Sequence, residues 1–589
     1  MKTNQFKSQT ILLLVLALFL LGARSNAQQK TEEKPNFLVI VADDMGFSDM
    51  GAFGGEISTP NLDKMAEEGT RYTNYYVAPT CSPTRSMLMT GIDNHLVGLG
   101  NMYEYPAPNQ LNEKGYEGYL TNDVPTVAEI LKENGYHTYM AGKWHLGKDK
   151  EHIPAAQGFE RSFSMLSGSG SYFSFNGPDE DATPNHFVEG ETYLNELPKN
   201  YYATTTFTNK IISYIDDNKE DGKPFFAYLA HQAPHDPLMA PDKYLRKYKG
   251  FFDKGWDVLR DDRLENMVKM GILSEKTEMG ERLWYVPGFD KLKPASQVVT
   301  ARKMEVYAAV LDYMDMEIGR LMDYLEKNDL KKNTYIVFFS DNGPDVNDKA
   351  STYKKYPATA AANWMAKTYI HGFQNWGRAE SFTAYGPSWA QVSTAPFYGF
   401  KYTTYDGGIR SPLIVISPNQ KNKGSINTEA ILHVKDIAPT FLELAGVSQS
   451  DINTSIKMQG KSWADMLHQS VKSPRTENDY LGTELWNAKS IRKGDWKIVN
   501  VPTPIGTGEW QLFNVKNDPG ERFDLALENP EKLSELKADW DEYKMENNVI
   551  IPNRTTYDGM EDKLPPRPPV YAPDFGRGSE LIEDINTKQ

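Results

Sequence analysis

Four runs along the chain are continuously apolar and rich in β-branched or aromatic residues, and three of them end in polar residues. Asn36-Phe-Leu-Val-Ile-Val-Ala42 gives way to Asp43-Asp44, and Pro224-Phe-Phe-Ala-Tyr-Leu-Ala230 to His231 and His235. Tyr335-Ile-Val-Phe-Phe339 leads through Ser340 to Asp341-Asn342-Gly343, whereas Leu413-Ile-Val-Ile416 closes on Ser417-Pro418. Runs of this length without alternation suit strands buried on both faces, as in a parallel sheet covered by helices. Between them the period becomes helical. Thr126-Val-Ala-Glu129 is a capping box that opens a helix over 127–134, and Gly135 supplies the stop. From Val306 onward, Val310, Met314, Ile318, Leu321 and Leu325 recur at three or four residues. Pro60 opens a shorter helix that Gly69 closes. Alternating strands and helices predict an α/β fold, whose ligands sit beyond the carboxyl ends of the strands. The polar clusters fall at those ends.

Other segments are less regular. The Gly- and Ser-rich residues 167–177 and the acidic turn at 179–181 read as a surface loop, and residues 250–296 as a helical excursion. Near Thr476 the pattern changes to short strand-like runs, Lys497-Ile-Val499 and Trp510-Gln-Leu-Phe513, followed by a helical stretch over 530–545. Residues 476–589 therefore read as a smaller α+β C-terminal domain, ending in a Pro-rich tail at 564–573 without regular structure. Lys2, Lys7, the apolar stretch from Ile11 to Leu21 and Ser25-Asn26-Ala27 have the layout of a secretory signal over residues 1–27. Cleavage near Ala27 would leave a catalytic α/β domain over 28–475 and a periplasmic or secreted protein. The apolar stretch is short for a membrane span, which needs about 20 residues, so no stable membrane insertion is expected. A formal charge of −15 argues against nucleic acid as a partner. It also means that a few local cations must attract any anionic substrate.

Cys81 is the one cysteine of the chain, so no internal disulfide forms. Thr80 and Ser82 are polar, Pro83 suits the start of a helix, and Arg85 brings a fixed charge. A helix N-terminus activates thiols, which leaves a catalytic reading open beside that of a small buried hydrophobe. The thiol is expected to be exposed and to contribute little to the core. Asp43, Asp44, Asp341 and Asn342 offer hard oxygen donors, which favour Ca²⁺ or Mg²⁺ over zinc. Lys143 and His145 are alternate residues of a predicted strand, so both would point into one cleft. His235 and Lys401 are further candidates, and Gly407-Gly408 suggest backbone passing close to another group.

Taken together the motifs have a family's order. Cys81-Ser-Pro-Thr-Arg85 with Met89-Thr-Gly91, Ala141-Gly-Lys-Trp-His145, Ala233-Pro-His-Asp-Pro237, Ser340-Asp-Asn-Gly343 and Gly407-Gly-Ile-Arg410 resemble the ordered signatures of the type I sulfatases, within the alkaline-phosphatase-like superfamily. Asp436-Ile-Ala-Pro-Thr-Phe-Leu-Glu-Leu-Ala-Gly446 adds to the series, and Ile491-Arg-Lys-Gly-Asp-Trp-Lys497 looks like bacterial arylsulfatases in particular. The resemblance implies a large mixed, mostly parallel sheet sandwiched by helices. It implies that a maturation enzyme oxidises Cys81 to formylglycine, and that residue 81, Asp43, Asp44, Asp341 and Asn342 bind one Ca²⁺. Arg85 would orient the hydrated aldehyde, and Lys143, His145, His235 and Lys401 would contact the sulfate of a sulfated small molecule or glycan. His235 and Lys401 would assist the leaving oxygen, and His145 would take a proton as sulfate departs. Thr84 stands where serine is commoner and keeps the hydroxyl. A phosphonate monoester or phosphodiester hydrolase with the same nucleophile is the alternative, and a binding protein without turnover a third reading. His231, His95 and His433 match no required role and are expected to be satisfied structural histidines.

Overall fold

Burial on both faces is what makes the central strands continuously apolar. In the computed structural model, which describes residues 34–177, 186–346, 360–467, 472–555 and 557, β1 (Asn36–Ala42) sends alternate side chains to two cores. Leu38, Ile40 and Ala42 pack with the helices Pro60–Glu68, Ala203–Asn218 and Pro294–Lys327. Phe37, Val39 and Val41 pack with Cys81–Thr90, Val127–Glu133 and Ile437–Leu444 on the other side. The signal-like segment, the acidic turn at 179–181 and the Pro-rich residues 564–573 lie outside the described residues. No described helix is long and apolar enough to cross a membrane.

The sheet is large and mixed. In addition to β1, it contains β2 (Thr70–Tyr76), β3 (His137–Lys143), β4 (Arg161–Met165), β5 (Phe187–Glu189), β6 (Thr192–Tyr193), β7 (Phe225–Ala230), β8 (Thr334–Ser340), β9 (Arg410–Ile416), β10 (Ser425–Asn427) and β11 (Leu432–His433). The order is β10-β2-β9-β8-β1-β7-β3-β4-β5-β6, with β11 also on β2. The centre, β8-β1-β7-β3-β4, is parallel. The fourth apolar run behaves differently: β9 is antiparallel to both β8 and β2, and is continuous because it too is covered on both faces. Register then levels the polar tails. Val41 pairs with Ala230 and Phe339, so Asp43, His231 and Asp341 emerge together at the carboxyl edge. The helix expected from Val306 begins earlier, at Pro294, and residues 250–296 hold the α-helix Gly255–Lys269 and a short 3-10 helix, Phe289–Lys291, before it.

A second, antiparallel sheet of β12 (Tyr480–Leu485), β13 (Ala488–Lys493), β14 (Trp496–Asn500) and β15 (Gln511–Asn514) packs on the helix Pro530–Glu546 through Ile491, Ile498, Leu512, Leu536 and Trp540. Buried Lys497 on β14 joins Asp406 (2.6 Å) and Glu521 (2.8 Å), tying this sheet to the turn that precedes β9.

Candidate active site

Each candidate residue sits at the carboxyl edge of the large sheet because a strand or helix ends there. Asp43-Asp44 follow β1, Lys143 closes β3, His235 lies five residues past β7, and Asp341-Asn342 follow β8. Cys81 is the first residue of the helix after β2, with Thr80 as its extended N-cap. Lys401 comes from a loop that the glycine pair holds. A Cβ on Gly407 would lie 2.4 Å from the Gly399 carbonyl oxygen, and one on Gly408 would lie 2.1 Å from that of Thr403. Only glycines let the Asp406–Ile409 turn pack so tightly under the lysine loop.

The inner cluster alternates in sign. Lys143 Nζ bonds both oxygens of Asp43 (2.9 and 2.7 Å), and Lys401 Nζ bonds Asp44 Oδ2 at 2.9 Å. Arg85 places Nε and Nη2 on Asp341 Oδ2 (2.9 and 2.7 Å) and Nη1 on the Lys143 carbonyl (2.8 Å). Cys81 Sγ is 3.4 Å from Asp43 Oδ1 and 3.9 Å from Asp44 Oδ1. All are buried. Burial raises the Asp43 carboxyl despite the pull of Lys143, whereas Arg85 and the two lysines outweigh burial at Asp341 and lower it.

Several expectations need correction. Cys81 has no exposed surface, and burial, reinforced by Asp341, pushes its thiol well above the ordinary value. It is therefore neither an exposed thiol nor one activated by its helix terminus. Lys143 and His145 do not share a strand face. The strand ends at Lys143, and His145 lies beyond it in left-handed backbone (φ 58°), where Nε2 meets Glu104 Oε1 at 3.0 Å. Residues 167–177 form a loop, but its middle is not at the surface: Ser169, Gly170, Ser171 and Tyr172 are buried, Ser169 bonds the Asp236 carbonyl, and Gly168 abuts the His145 ring. His95 is satisfied by Asp93 and Glu484, and His433 Nδ1 accepts from the Lys435 amide. His231 is not satisfied. Both of its ring nitrogens are buried without a hydrogen-bond partner, and burial lowers its pKa to about 3.

His235 is held on both sides. Nδ1 is 2.6 Å from the Asp236 carbonyl, and Nε2 stands 3.2 Å from Lys401 Nζ and 3.3 Å from Asp44 Oδ2. Burial favours the neutral ring, but Asp44, Asp43 and the hydrogen bond to Asp236 together outweigh it and the pKa rises. Glu104 and Asp345 were not singled out from the sequence. Asp345 accepts from Tyr402 Oη at 3.1 Å and lies 3.8 Å from Lys401. Neither acidic residue belongs to a motif or a periodic element, so no local signal marks them.

The oxygen donors of Asp43, Asp44, Asp341 and Asn342 suit a hard divalent cation. Asp43, Asp44, Cys81 and His235 each offer an atom within 4.8 Å of the others, and Asp341 keeps Oδ1 beside the Asp44 amide (3.3 Å). Asn342 Oδ1 is buried without a hydrogen-bond partner, while its Nδ2 donates to Asp44 at 2.6 Å. The unpartnered Oδ1 is thus an acceptor open to a cation, while Nδ2 is taken up by Asp44 and by the Gly343 carbonyl (2.7 Å). The three carboxylates already face three buried cations, Arg85, Lys143 and Lys401. A divalent ion bound here would leave this cluster net positive, a local charge that could draw an anion against the acidic whole.

A strand-edge cluster of carboxylates, cations and histidines, on a helix-covered mixed sheet, suits an enzyme that acts on an anionic ester. Residues 35–447 match the sulfatase family model, and residues 397–545 match that of the N-sulphoglucosamine sulphohydrolase C-terminal region. The chain belongs to the sulfatase family, as a type I sulfatase of the alkaline-phosphatase-like superfamily, and is a sulfuric ester hydrolase. It is 38% identical over 542 residues to an uncharacterized sulfatase of Schizosaccharomyces pombe, covering 89% of this chain and 96% of the relative. It is also 38% identical over 440 residues to an arylsulfatase of Klebsiella aerogenes, covering 73% and 90%. Among solved structures, BT4656 in complex with its substrate D-glucosamine-2-N,6-O-disulfate shares the fold at a TM-score of 0.58 and 22% identity, covering 88% of this chain and 99% of that one.

Proposed function

We propose that this sulfatase is an arylsulfatase-type enzyme that uses a formylglycine made from Cys81 and one Ca²⁺ held by Asp43, Asp44, Asp341, Asn342 and residue 81. It releases inorganic sulfate and an alcohol or phenol. The observation that carries this reading is the buried convergence of Cys81 with three carboxylates, Lys143, Lys401 and His235. Once in place, the hydrated aldehyde and Ca²⁺ supply a polarised oxygen nucleophile and charge stabilisation for the sulfuryl group. Lys143 and Lys401 exchange carboxylate for sulfate oxygens through charge-assisted hydrogen bonds. Because Nδ1 is tied to a carbonyl and Asp44 favours the charged ring, His235 holds a proton at Nε2 for the leaving oxygen. Burial lowers the His145 pKa, so that ring is neutral near pH 7 and able to take a proton as sulfate departs. Arg85 is fully committed to Asp341 and the end of β3, and so orients residue 81 through those partners.

The substrate is a sulfated small molecule or glycan, and the mature enzyme works in the periplasm or is secreted. Buried Cys81 cannot be reached in the folded chain, so the maturation enzyme acts before folding. Peptide mass analysis across residue 81, joined to sulfate release from aryl, sugar and alkyl sulfates with an aryl phosphonate alongside, tests the proposal. Active enzyme with wholly unmodified Cys81, or phosphonate turnover above that of every sulfate, would overturn it.

A further inference from the structure

His145 carries a constraint that the motif does not explain. Its left-handed backbone is uncommon for a residue with a side chain, and its ring is crowded by a distant segment of the same chain. The Gly168 backbone lies so near the ring that a Cβ there would come within 2.7 Å of Cε1. Nε2 faces Glu104 Oε1 at 3.0 Å, and Nδ1 is buried with no hydrogen-bond partner. Burial raises the Glu104 carboxyl, but His145 outweighs it and holds the pKa at about 2, while burial lowers that of His145. At pH 7 the pair is thus a carboxylate and a neutral imidazole.

Glu104 is itself built in. Asn101 Nδ2 donates to the Tyr105 carbonyl and to Gln110 Oε1 (both 2.8 Å), and Asn101 Oδ1 receives the Met102 amide at 2.7 Å. The same Oδ1 receives the indole N–H of Trp486 at 2.6 Å. Trp486, at the tip of the β12–β13 hairpin, packs edge-on to Tyr105 (5.3 Å) and stacks on Tyr402 (5.2 Å), the residue after Lys401. The C-terminal sheet thereby fixes the loop that presents Glu104.

A carboxylate only accepts hydrogen bonds, and a neutral imidazole has one N–H to give. We propose that Glu104 is a positioning residue that holds His145 as the Nε2–H tautomer, which makes Nδ1 the atom that takes a proton in the reaction. The inference rests on the sulfatase reading for its catalytic meaning, but not for its geometry. Full-length protein labelled with ¹⁵N-histidine reads the tautomer directly, with the His145 signal assigned by its loss in His145→Ala. At pH 7 the wild type should show a protonated Nε2 and a bare Nδ1, and Glu104→Gln and Glu104→Ala should both populate the Nδ1–H form. In turnover of an aryl sulfate, Glu104→Gln should lower kcat by about 10²-fold, in the range of general acid–base contributions, with KM moving far less. An Nδ1–H or doubly protonated ring in the wild type, or an unchanged tautomer in both variants, would overturn the inference. Those outcomes leave the sulfatase reading standing, whereas unmodified Cys81 in active enzyme would sink that reading and leave the tautomer result intact.

Discussion

Raising the pH should loosen the attachment of the C-terminal sheet through His95. This histidine has no exposed surface, and it bridges Asp93 Oδ1 (Nδ1, 2.7 Å) to Glu484 Oε2 on β12 (Nε2, 3.2 Å). Burial alone would lower its pKa, but the two carboxylates outweigh burial and raise it to about 9 from an ordinary 6.5. The folded state therefore holds the proton more tightly, so its stabilising contribution is complete below pH 6.5 and disappears as the pH passes 9. Linkage makes that contribution about 3 kcal/mol at low pH, with most of it kept at pH 7, roughly half at pH 8 and little left at pH 9. Urea unfolding of wild type and His95→Gln at each pH isolates the term, because Lys435 and Tyr543, which also reach Asp93, are present in both proteins. The stability gap should narrow several-fold between pH 7 and 9. A gap that stays constant or widens would refute the charged bridge.

Asp341→Asn should abolish Ca²⁺ binding in calorimetric titration, and should destabilise the fold by roughly 3–5 kcal/mol because it weakens the partner of buried Arg85. Cys81→Ala should fold with a loss of about 1 kcal/mol, the cost of a small buried side chain, and show no sulfate release. His235→Ala should slow an alkyl or sugar sulfate roughly 10²–10⁴-fold but a nitrophenyl sulfate much less, since the phenolate needs little protonation; equal losses would remove its acid role. His145→Ala should accumulate sulfate on residue 81, visible as added SO₃ in the peptide mass, and a clean peptide would mean that another group takes the proton.

The sequence by itself determined the elements whose burial is uniform or whose ends are chemically marked. β1, β7, β8 and β9 were legible because strands covered on both faces lose their alternation, and the helix at Val127 because its cap is written in Thr126 and Glu129. The polar tails of three strands placed Asp43, Asp44, His235, Asp341 and Asn342 at one edge before any register was known. β2, β12 and β13 were not legible, since their mixed residues meet a core on one side only after distant partners close over them. Tertiary structure alone decided that Cys81 is sealed from solvent, that residues 169–172 are buried, that Glu104 meets His145, and that Trp486 meets Asn101. Local pattern records how much of a segment is buried and where it stops. Which side chains then meet depends on contacts between residues far apart in the chain: Glu104 reaches His145 across 41 positions, and Trp486 reaches Asn101 across 385. No local period can carry that information, because the free energy that selects such pairs comes from closing the whole fold at once.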